Sequence, residues 1–379
     1  MDPAPELAPD EALALRMASL LLAERPGPGG PPPPAGVADV VGWFGAMQAQ
    51  DAASAMWSLG ARLPGFTLLD VQAALERREA LRTWPMRGTV HLVPARDARW
   101  MLDLMGARAL AGAAARRSYL GLTEQVAERA VEVLGAALTG GGRLTRKECL
   151  AVLADAGIDG SGQLGYHLLW YTSQRGVTCI APSIGTEQTF ALLDEWVPDP
   201  HRPDRDEALG TMVLRFFRSH GPATRQDFTR WTGLPMADGR RGLAVAGEAL
   251  AAVRVGGQEM IVDRELLEAH RAGPAAPAGD EVRALPGFDE YLLGYKDRSL
   301  MVAAEHMAAI IPGGNGVFQP TLVRAGRVIG TWKRSAARGR TVVQVRPLVR
   351  FGAADRPLVE DALKPYGYFV GQPVDVRWP

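Results

Sequence analysis

The chain has little cysteine, no long apolar run and no net charge, and each of these limits what it can be. Its 379 residues include only two cysteines, Cys149 and Cys179. One disulfide would stabilise so long a chain little, so we expect two reduced core thiols in a cytoplasmic protein. No apolar run approaches the ~20 residues that a membrane span needs, and the acidic start at Met1-Asp2-Pro3 is unlike a signal peptide. With 47% hydrophobic residues, we expect a folded protein of two or three domains.

Several common catalytic patterns are also absent. The chain has no glycine-rich phosphate loop, no Ser-His-Asp signature and no Cys/His cluster with metal-ligand spacing. Its six histidines are scattered, and a lone histidine such as His91 on a half-buried strand is more often structural than catalytic. We therefore expect neither a metal ion nor a cofactor.

The zero net charge conceals a segregated distribution. Between His306 and Ala354 there is no Asp or Glu. The basic side chains of the same stretch are Arg324, Arg327, Lys333, Arg334, Arg338, Arg340, Arg346 and Arg350. Such segregation produces a positive face that can neutralise the phosphates of a nucleic acid, although a solvated sheet edge would have the same composition.

Three stretches share one order of predicted elements, in which helices precede two short β-rich runs. The clearest copy lies at 206–262. Its predicted elements are helices at 206–220, 225–232 and 236–250, strands at 253–255 and 260–262, and a Gly256-Gly257 turn. Three helices followed by a hairpin are typical of a winged helix-turn-helix. The same order is predicted at 123–192 and at 37–93.

Proline- and glycine-rich breaks at 25–34, 197–203 and 272–279 divide the chain, because proline lacks a backbone donor and glycine is entropically costly in regular structure. Beyond 280 strands dominate, with a two-residue turn at Ala325-Gly326. We predict an α+β fold of three tandem winged-helix units and a small β-rich C-terminal domain. The predicted division is 1–34 (a helix at 11–23 and a linker), 35–120, 121–200 and 201–279 (winged helices), and 280–379 (the β-rich domain with a basic hairpin).

The most unusual local pattern is Met47-Gln48-Ala49-Gln50-Asp51. Within a helix, side chains two residues apart point in nearly opposite directions, whereas in an extended segment they share a face. Asp51 is suited to cap a following helix, so we expect a break that places Gln48 and Gln50 at one junction. Taken alone, the pattern is more typical of a polar linker between two helices.

At these residues the chain resembles the AlkZ-type winged-helix DNA glycosylases, a family with a catalytic Gln-x-Gln or Gln-x-Asp element. Four further stretches match that family in the same order, at 81–93, 288–298, 315–320 and 330–334. The matches span most of the chain from residue 35 onwards. The resemblance implies tandem winged helices, a β-rich C-terminal part, and catalytic roles for Gln48 and Gln50.

The resemblance also implies a mechanism. A glycosylase hydrolyses the bond between base and deoxyribose through a transition state with oxocarbenium character, and a purine alkylated at N7 already carries positive charge, so its departure needs little acid. Two neutral amides that hold a water molecule below C1′ could then suffice. The family implies an open concave DNA surface with a hairpin in the minor groove, which would tolerate bulky adducts and interstrand crosslinks. The role would be DNA repair or self-resistance to an alkylating natural product.

The candidate DNA-binding residues are Arg87 and His91 in the first wing, Arg324 and Arg327 in a hairpin at 316–332, and Lys333 and Arg334. The expected partner is double-stranded DNA that contains alkylated purines, bound by a monomer. Lyase activity is not expected, because no lysine adjoins the glutamine element in the sequence.

Two alternatives remain open at this point. A winged-helix transcription regulator or architectural DNA-binding protein would share the repeats, although a regulator usually needs a dimer to span two half-sites and no dimer helix is evident. A protein-interaction scaffold would not explain the acid-free segment at 306–354.

Overall fold

The computed structural model describes residues 4–25, 33–273 and 281–379. The chain forms two compact units. One, which we call the glutamine unit, comprises the chain up to Val71 together with Leu209–Trp231 and Pro235–Pro379, and the other, the middle unit, comprises Gln72–Ala208 and Thr232–Leu234. The predicted breaks at 25–34 and 272–279 lie largely outside the described residues.

The fold mixes helices and strands, as the predicted α+β class requires. The helices are α1 (Pro9–Ser19), α2 (Val37–Phe44), α3 (Ala52–Gly60), α4 (Leu68–Glu76), α5 (Ala98–Met101), α6 (Ala107–Tyr119), α7 (Glu124–Leu138), α8 (Arg146–Asp155), α9 (Gly162–Gln174), α10 (Leu193–Trp196), α11 (Arg205–His220), α12 (Arg225–Thr232), α13 (Met236–Ala246), α14 (Arg264–Ala272), α15 (Glu290–Leu293), α16 (Met307–Ile310) and α17 (Asp355–Val370). The strands are β1 (Glu6–Leu7), β2 (Met47–Gln48), β3 (Ala80–Met86), β4 (Thr89–Pro94), β5 (Arg143–Thr145), β6 (Thr178–Ile184), β7 (Glu187–Leu192), β8 (Leu250–Val255), β9 (Gln258–Asp263), β10 (Val282–Leu285), β11 (Thr321–Arg324), β12 (Arg327–Ala337), β13 (Arg340–Pro347) and β14 (Val374–Arg377).

The order of three helices followed by a two-stranded hairpin occurs three times along the chain. The copies are α2–α3–α4 with β3–β4, α7–α8–α9 with β6–β7, and α11–α12–α13 with β8–β9. Both residues of the predicted Gly256-Gly257 turn have positive φ, as do Ala325 and Gly326, which is the conformation that a tight hairpin turn requires. Several helices end earlier than predicted, and α1 covers 9–19 instead of 11–23.

Two sheets build the glutamine unit. In the first, β1 pairs in parallel with β8, and β8 pairs antiparallel with β9. Leu15 of α1 and Leu266 of α14 belong to the apolar cluster that buries this sheet. The second sheet has the order β10-β11-β12-β13-β14. Tyr366 of α17 makes edge contacts with Trp57 of α3 and Trp332 of β12, so it fixes α3 against the second sheet.

The middle unit contains a sheet in the order β4-β3-β6-β7-β5 with antiparallel neighbours. A helical stretch at 95–119, which was not predicted from the sequence, follows β4. It includes a π-helical segment at Leu102–Gly106 that continues directly into α6. Such segments are rare and frequently occur at functional sites.

Both cysteines are buried free thiols, as predicted. Burial raises the pKa of Cys149 and of Cys179 to about 12, so neither is a reactive thiolate. In the described parts of the chain, no helix is both long and apolar enough to cross a membrane.

Candidate active site

Gln48 and Gln50 lie on a short extended segment between α2 and α3. The side chain of Asp51 accepts a hydrogen bond from the backbone N–H of Ser54 at 2.7 Å and so caps α3. The predicted break between the helices and the predicted cap are both present. We call residues 47–51 the glutamine segment.

Burial alternates along the glutamine segment. Met47 and Ala49 are 1% and 2% exposed, whereas Gln48 is half-buried and Gln50 is exposed. Because successive side chains of an extended segment point to opposite sides, the two amides share the outer side. Within the described residues, the Gln48 side chain has no hydrogen-bond partner, so its amide can bind water or a substrate.

Glu290 holds the main chain of the segment from the interior. Its buried carboxylate accepts hydrogen bonds from the backbone N–H of Gln48 at 2.8 Å and from Trp231 Nε1 at 2.8 Å. The other neighbour of the carboxylate is His220 Nε2 at 3.4 Å. Burial alone would raise the pKa of Glu290, but the hydrogen bonds, led by that of His220, hold it below its usual value. An ionised carboxylate thus orients the backbone at Gln48.

Asp289 is a second buried carboxylate beside Glu290. Arg62 donates hydrogen bonds to both of its oxygens, at 2.8 and 2.9 Å, and the Ser58 hydroxyl donates a third at 2.6 Å. Burial alone would raise the pKa of Asp289, but the charge of Arg62 and these hydrogen bonds keep it below its usual range. Ser58 lies on α3 and Arg62 lies just beyond it. Their hydrogen bonds to Asp289 therefore fix the start of α15 against α3, the helix that follows the glutamine segment.

No role was predicted from the sequence for Asp289, Glu290, His220 or Arg62. Residues 288–298 stood out only as a stretch that matches the family. A signal was nevertheless present, because two adjacent acids stand in an otherwise apolar run, and charged residues are almost never fully buried unless they are paired.

Arg334 reaches the glutamine segment. Its guanidinium lies 3.8 Å from Asp51 Oδ1 and donates a hydrogen bond to the Tyr366 hydroxyl at 3.2 Å. Lys333, the preceding residue on β12, is exposed. The structure therefore brings one of the predicted DNA-binding cations to Asp51, the last residue of the glutamine segment.

Arg324 and Arg327, two further candidate DNA-binding residues, both form ion pairs within the protein. Arg324 forms an ion pair with Asp355 at 2.7 Å, and Arg327 forms one with Asp10 at 2.8 Å. The turn between them packs against α1, because a Cβ added at Gly326 would meet Leu13 of that helix. The Tyr291 hydroxyl of α15 donates to the carbonyl of Gly326 at 2.7 Å. The hairpin predicted at this place is present, since β11 pairs antiparallel with β12. The other end of β12 leads into a turn at Arg338-Gly339, where both residues are exposed.

Arg87 and His91 lie on the β3–β4 hairpin of the middle unit. Arg87 is exposed, and its guanidinium lies 3.3 Å from His91 Nε2. His91 Nδ1 is 2.9 Å from the carbonyl of Thr89, so Nδ1 donates there and Nε2 accepts from Arg87. The His91 residue is 0% exposed, so its ring is buried beside the exposed guanidinium of Arg87.

Comparison with known proteins supplies an independent line of evidence. The family model described as DNA glycosylase AlkZ-like matches residues 41–369. An interstrand DNA cross-link repair glycosylase from Streptomyces sahachiroi is 31% identical over 313 residues, which cover 78% of this chain and 81% of that protein. The solved structure of the Streptomyces sahachiroi DNA glycosylase AlkZ is similar with a TM-score of 0.78 and 27% identity, over 99% of this chain and 100% of that one. The chain therefore belongs to the AlkZ-like DNA glycosylase family.

Proposed function

We propose that this protein is a monofunctional DNA glycosylase that hydrolyses the N-glycosidic bond of N7-alkylated purines, including bulky adducts and interstrand crosslinks. The observation that carries the proposal is the glutamine segment, which presents two amides outward from a backbone that Glu290 holds. The relative from Streptomyces sahachiroi is a cross-link repair glycosylase, which supports the choice of substrate class.

In the proposed reaction, the side-chain oxygens of Gln48 and Gln50 accept hydrogen bonds from one water molecule and aim its oxygen at C1′. The bond between C1′ and the purine nitrogen breaks, and its electron pair neutralises the positive charge of the alkylated base. The water oxygen then bonds to C1′ and releases one proton to solvent. The amide dipoles also stabilise the positive charge that develops on the sugar.

Water is the proposed nucleophile because Lys333, the lysine beside Arg334 on β12, faces away from Asp51. Lys333 is next to Arg334 in the sequence, but neighbouring residues of a strand point to opposite faces. Arg334 takes the face of Asp51, so Lys333 takes the other. This arrangement supports hydrolysis without a lyase step.

We further propose that the three helix and hairpin copies are winged-helix units that bind double-stranded DNA as a monomer. Arg334 on β12 would contact a phosphate near the glutamine segment, and Lys333 would contact one from the other face of the strand. The exposed Arg338-Gly339 turn would enter the minor groove. Arg87 would contact DNA with His91 as its support. Arg324 and Arg327 would contribute only by exchanging their carboxylate partners for phosphates.

The test is the release of free base from duplex DNA that contains N7-methylguanine. Gln48→Ala and Gln50→Ala should each slow release by about 10²–10³-fold, as the loss of one preorganised hydrogen-bond group typically does, and leave the affinity for DNA unchanged. Gln125→Ala, at an exposed glutamine of α7, is the matched control and should retain full activity. If the protein binds DNA but releases no base from methylated or crosslinked duplexes, the transcription regulator replaces the glycosylase.

A further inference from the structure

A groove of 760 Å³ in the middle unit has a lining that the proposed reaction does not use. Side chains of α6 and of the first turns of α9 form much of it. Its cationic and aromatic members are Arg87, Arg108, Arg116, Arg146, Tyr166 and Trp170, and it contains no Asp or Glu. The volume lies within the ~300–1,000 Å³ of typical ligand sites.

Three of these arginines are not neutralised. Within the described residues, Arg108, Arg116 and Arg146 form no ion pair, whereas Arg117, on the same helix but outside the groove, lies 3.9 Å from Glu124. Arg108 and Arg116 share one face of α6, about 12 Å apart along its axis. Like charges gathered without carboxylates repel one another, so this lining is complementary to a ligand with several negative charges along its length.

Gly112 keeps the groove open between Arg108 and Arg116. It lies in the interior of α6 and lines the groove, yet a Cβ added there would meet nothing within 4 Å. Packing therefore does not require glycine at this position, and glycine destabilises a helix interior relative to alanine. The absence of a side chain leaves room for a ligand against the helix.

The aromatic residues indicate what kind of polyanion fits. Tyr166 is 44% exposed, and Trp170 packs with its ring centre 5.3 Å from that of His167. His167 also lines the groove and is only 5% exposed, and its Nε2 has no hydrogen-bond partner among the described residues. A paired duplex hides the faces of its bases, whereas an unpaired strand offers both phosphates to arginine and base faces to aromatic rings.

We propose that this groove binds a single strand of DNA, with its phosphates on Arg108, Arg116 and Arg146 and a base stacked on Tyr166. The inference rests on the proposed function only in taking DNA as the polyanion. It adds a site for unpaired nucleotides in a unit that does not contain the glutamine segment.

The experiment compares the affinity of the full chain for fluorescently labelled oligodeoxythymidine and for a duplex of equal length, by anisotropy across a salt series. Tyr166→Ala should weaken single-strand binding by about 5- to 100-fold, the range for loss of one stacking platform, and Tyr166→Phe should retain it. Arg108→Gln and Arg146→Gln should each reduce the slope of log affinity against log salt by about 0.7. Arg129→Gln, which removes an arginine that pairs with Glu132 outside the groove, should leave affinity and slope unchanged.

A second pair of variants tests the groove without removing charge. Gly112→Leu should fill it and weaken single-strand binding at least fivefold, while Gly112→Ala should have little effect. The proposal is overturned if the groove variants weaken duplex binding as much as single-strand binding, which would make the groove a duplex contact. It is also overturned if polyglutamate competes as well as DNA, or if no groove variant changes single-strand affinity. Base release from the methylated duplex is measured separately. A failure of the proposed glycosylase activity can therefore be told apart from a failure of single-strand binding in the groove.

Discussion

The two units treat their charged side chains in opposite ways. In the glutamine unit, Asp289 and Glu290 are buried and each is matched by donors, among them the bidentate Arg62. In the groove of the middle unit, Arg108 and Arg146 stand without a carboxylate. Charges satisfied inside the protein hold a site in shape, whereas charges left unsatisfied at a surface are available to a ligand. We therefore assign the paired charges of the glutamine unit to preorganising its site, and the unpaired arginines of the groove to recognising a ligand.

The largest expected effect is on the free energy of unfolding, and it tests whether the buried Arg62–Asp289 pair stabilises the glutamine unit. Arg62→Met should lower the free energy of unfolding by about 3–5 kcal/mol, because it leaves Asp289 buried without its cation. Arg108→Met should change it by no more than about 0.5 kcal/mol, as exposed substitutions usually do. Chemical denaturation followed by tryptophan fluorescence measures both. The double variant Arg62→Met/Asp289→Leu should recover much of the loss, and equal costs at the two arginines would remove the distinction.

A smaller effect is expected on catalysis from Glu290→Gln. Glutamine can still accept a hydrogen bond from the Gln48 backbone, but bonds to an ionised acceptor are roughly twice as strong. We expect base release about tenfold slower under single-turnover conditions, because a displaced catalytic group loses rate steeply, with DNA affinity unchanged. Glu281→Gln, at an exposed glutamate of the same unit, should have no effect. An unchanged rate of base release in Glu290→Gln would show that Glu290 contributes to folding but does not position Gln48 for catalysis.

The stability of the protein should depend on pH through the same two buried carboxylates, Asp289 and Glu290. The pKa values of Asp289 and Glu290 are depressed in the folded state, so the unfolded chain binds more protons in acid. Their contribution is complete above the ordinary pKa values of about 4 and is lost as the pH falls through the folded values. Melting temperatures measured from pH 6 downwards should therefore decrease in acid, and less steeply for Asp289→Asn. Parallel curves for the two proteins would contradict this assignment.

The smallest effect concerns the groove. Gly112→Ala should stabilise the protein by about 0.5–1 kcal/mol, since alanine is favoured in a helix interior and its Cβ would meet open space. Gly165→Ala in α9 is the matched contrast, because its Cβ would collide with the carbonyl of Gly160 and destabilise the fold. Denaturation curves of the two variants should move in opposite directions.

Features with local causes were predictable from the sequence. Asp51 caps α3 and Thr145 caps α8 because each side chain accepts a bond from an N–H three residues ahead. The tight turn at Gly256-Gly257 likewise depends on two residues alone. The glutamine pair could be located as a junction between helices for the same reason, although its catalytic meaning came from resemblance.

Features that depend on distant partners were not predictable. Glu290 meets the backbone of Gln48 across 242 positions of the chain, and no local pattern encodes such a pairing. The ion pair of Arg327 with Asp10 likewise depends on where α1 packs. The helix α6 was missed because it is rich in alanine and arginine and lacks a wide apolar stripe, which is the signal that sequence periodicity detects.

The docking of β1 and α1 has a practical consequence. The family match begins at residue 41, which invites a shortened expression fragment that omits everything before it. Such a fragment would strip β8 of its parallel neighbour and uncover Val253 and Val255, which Leu7 and Leu15 help to bury. An exposed, unpaired strand edge beside an apolar face is a template for pairing with the strand of another molecule. The trimmed protein should therefore aggregate where the full chain stays dispersed, even though every residue of the glutamine segment is retained.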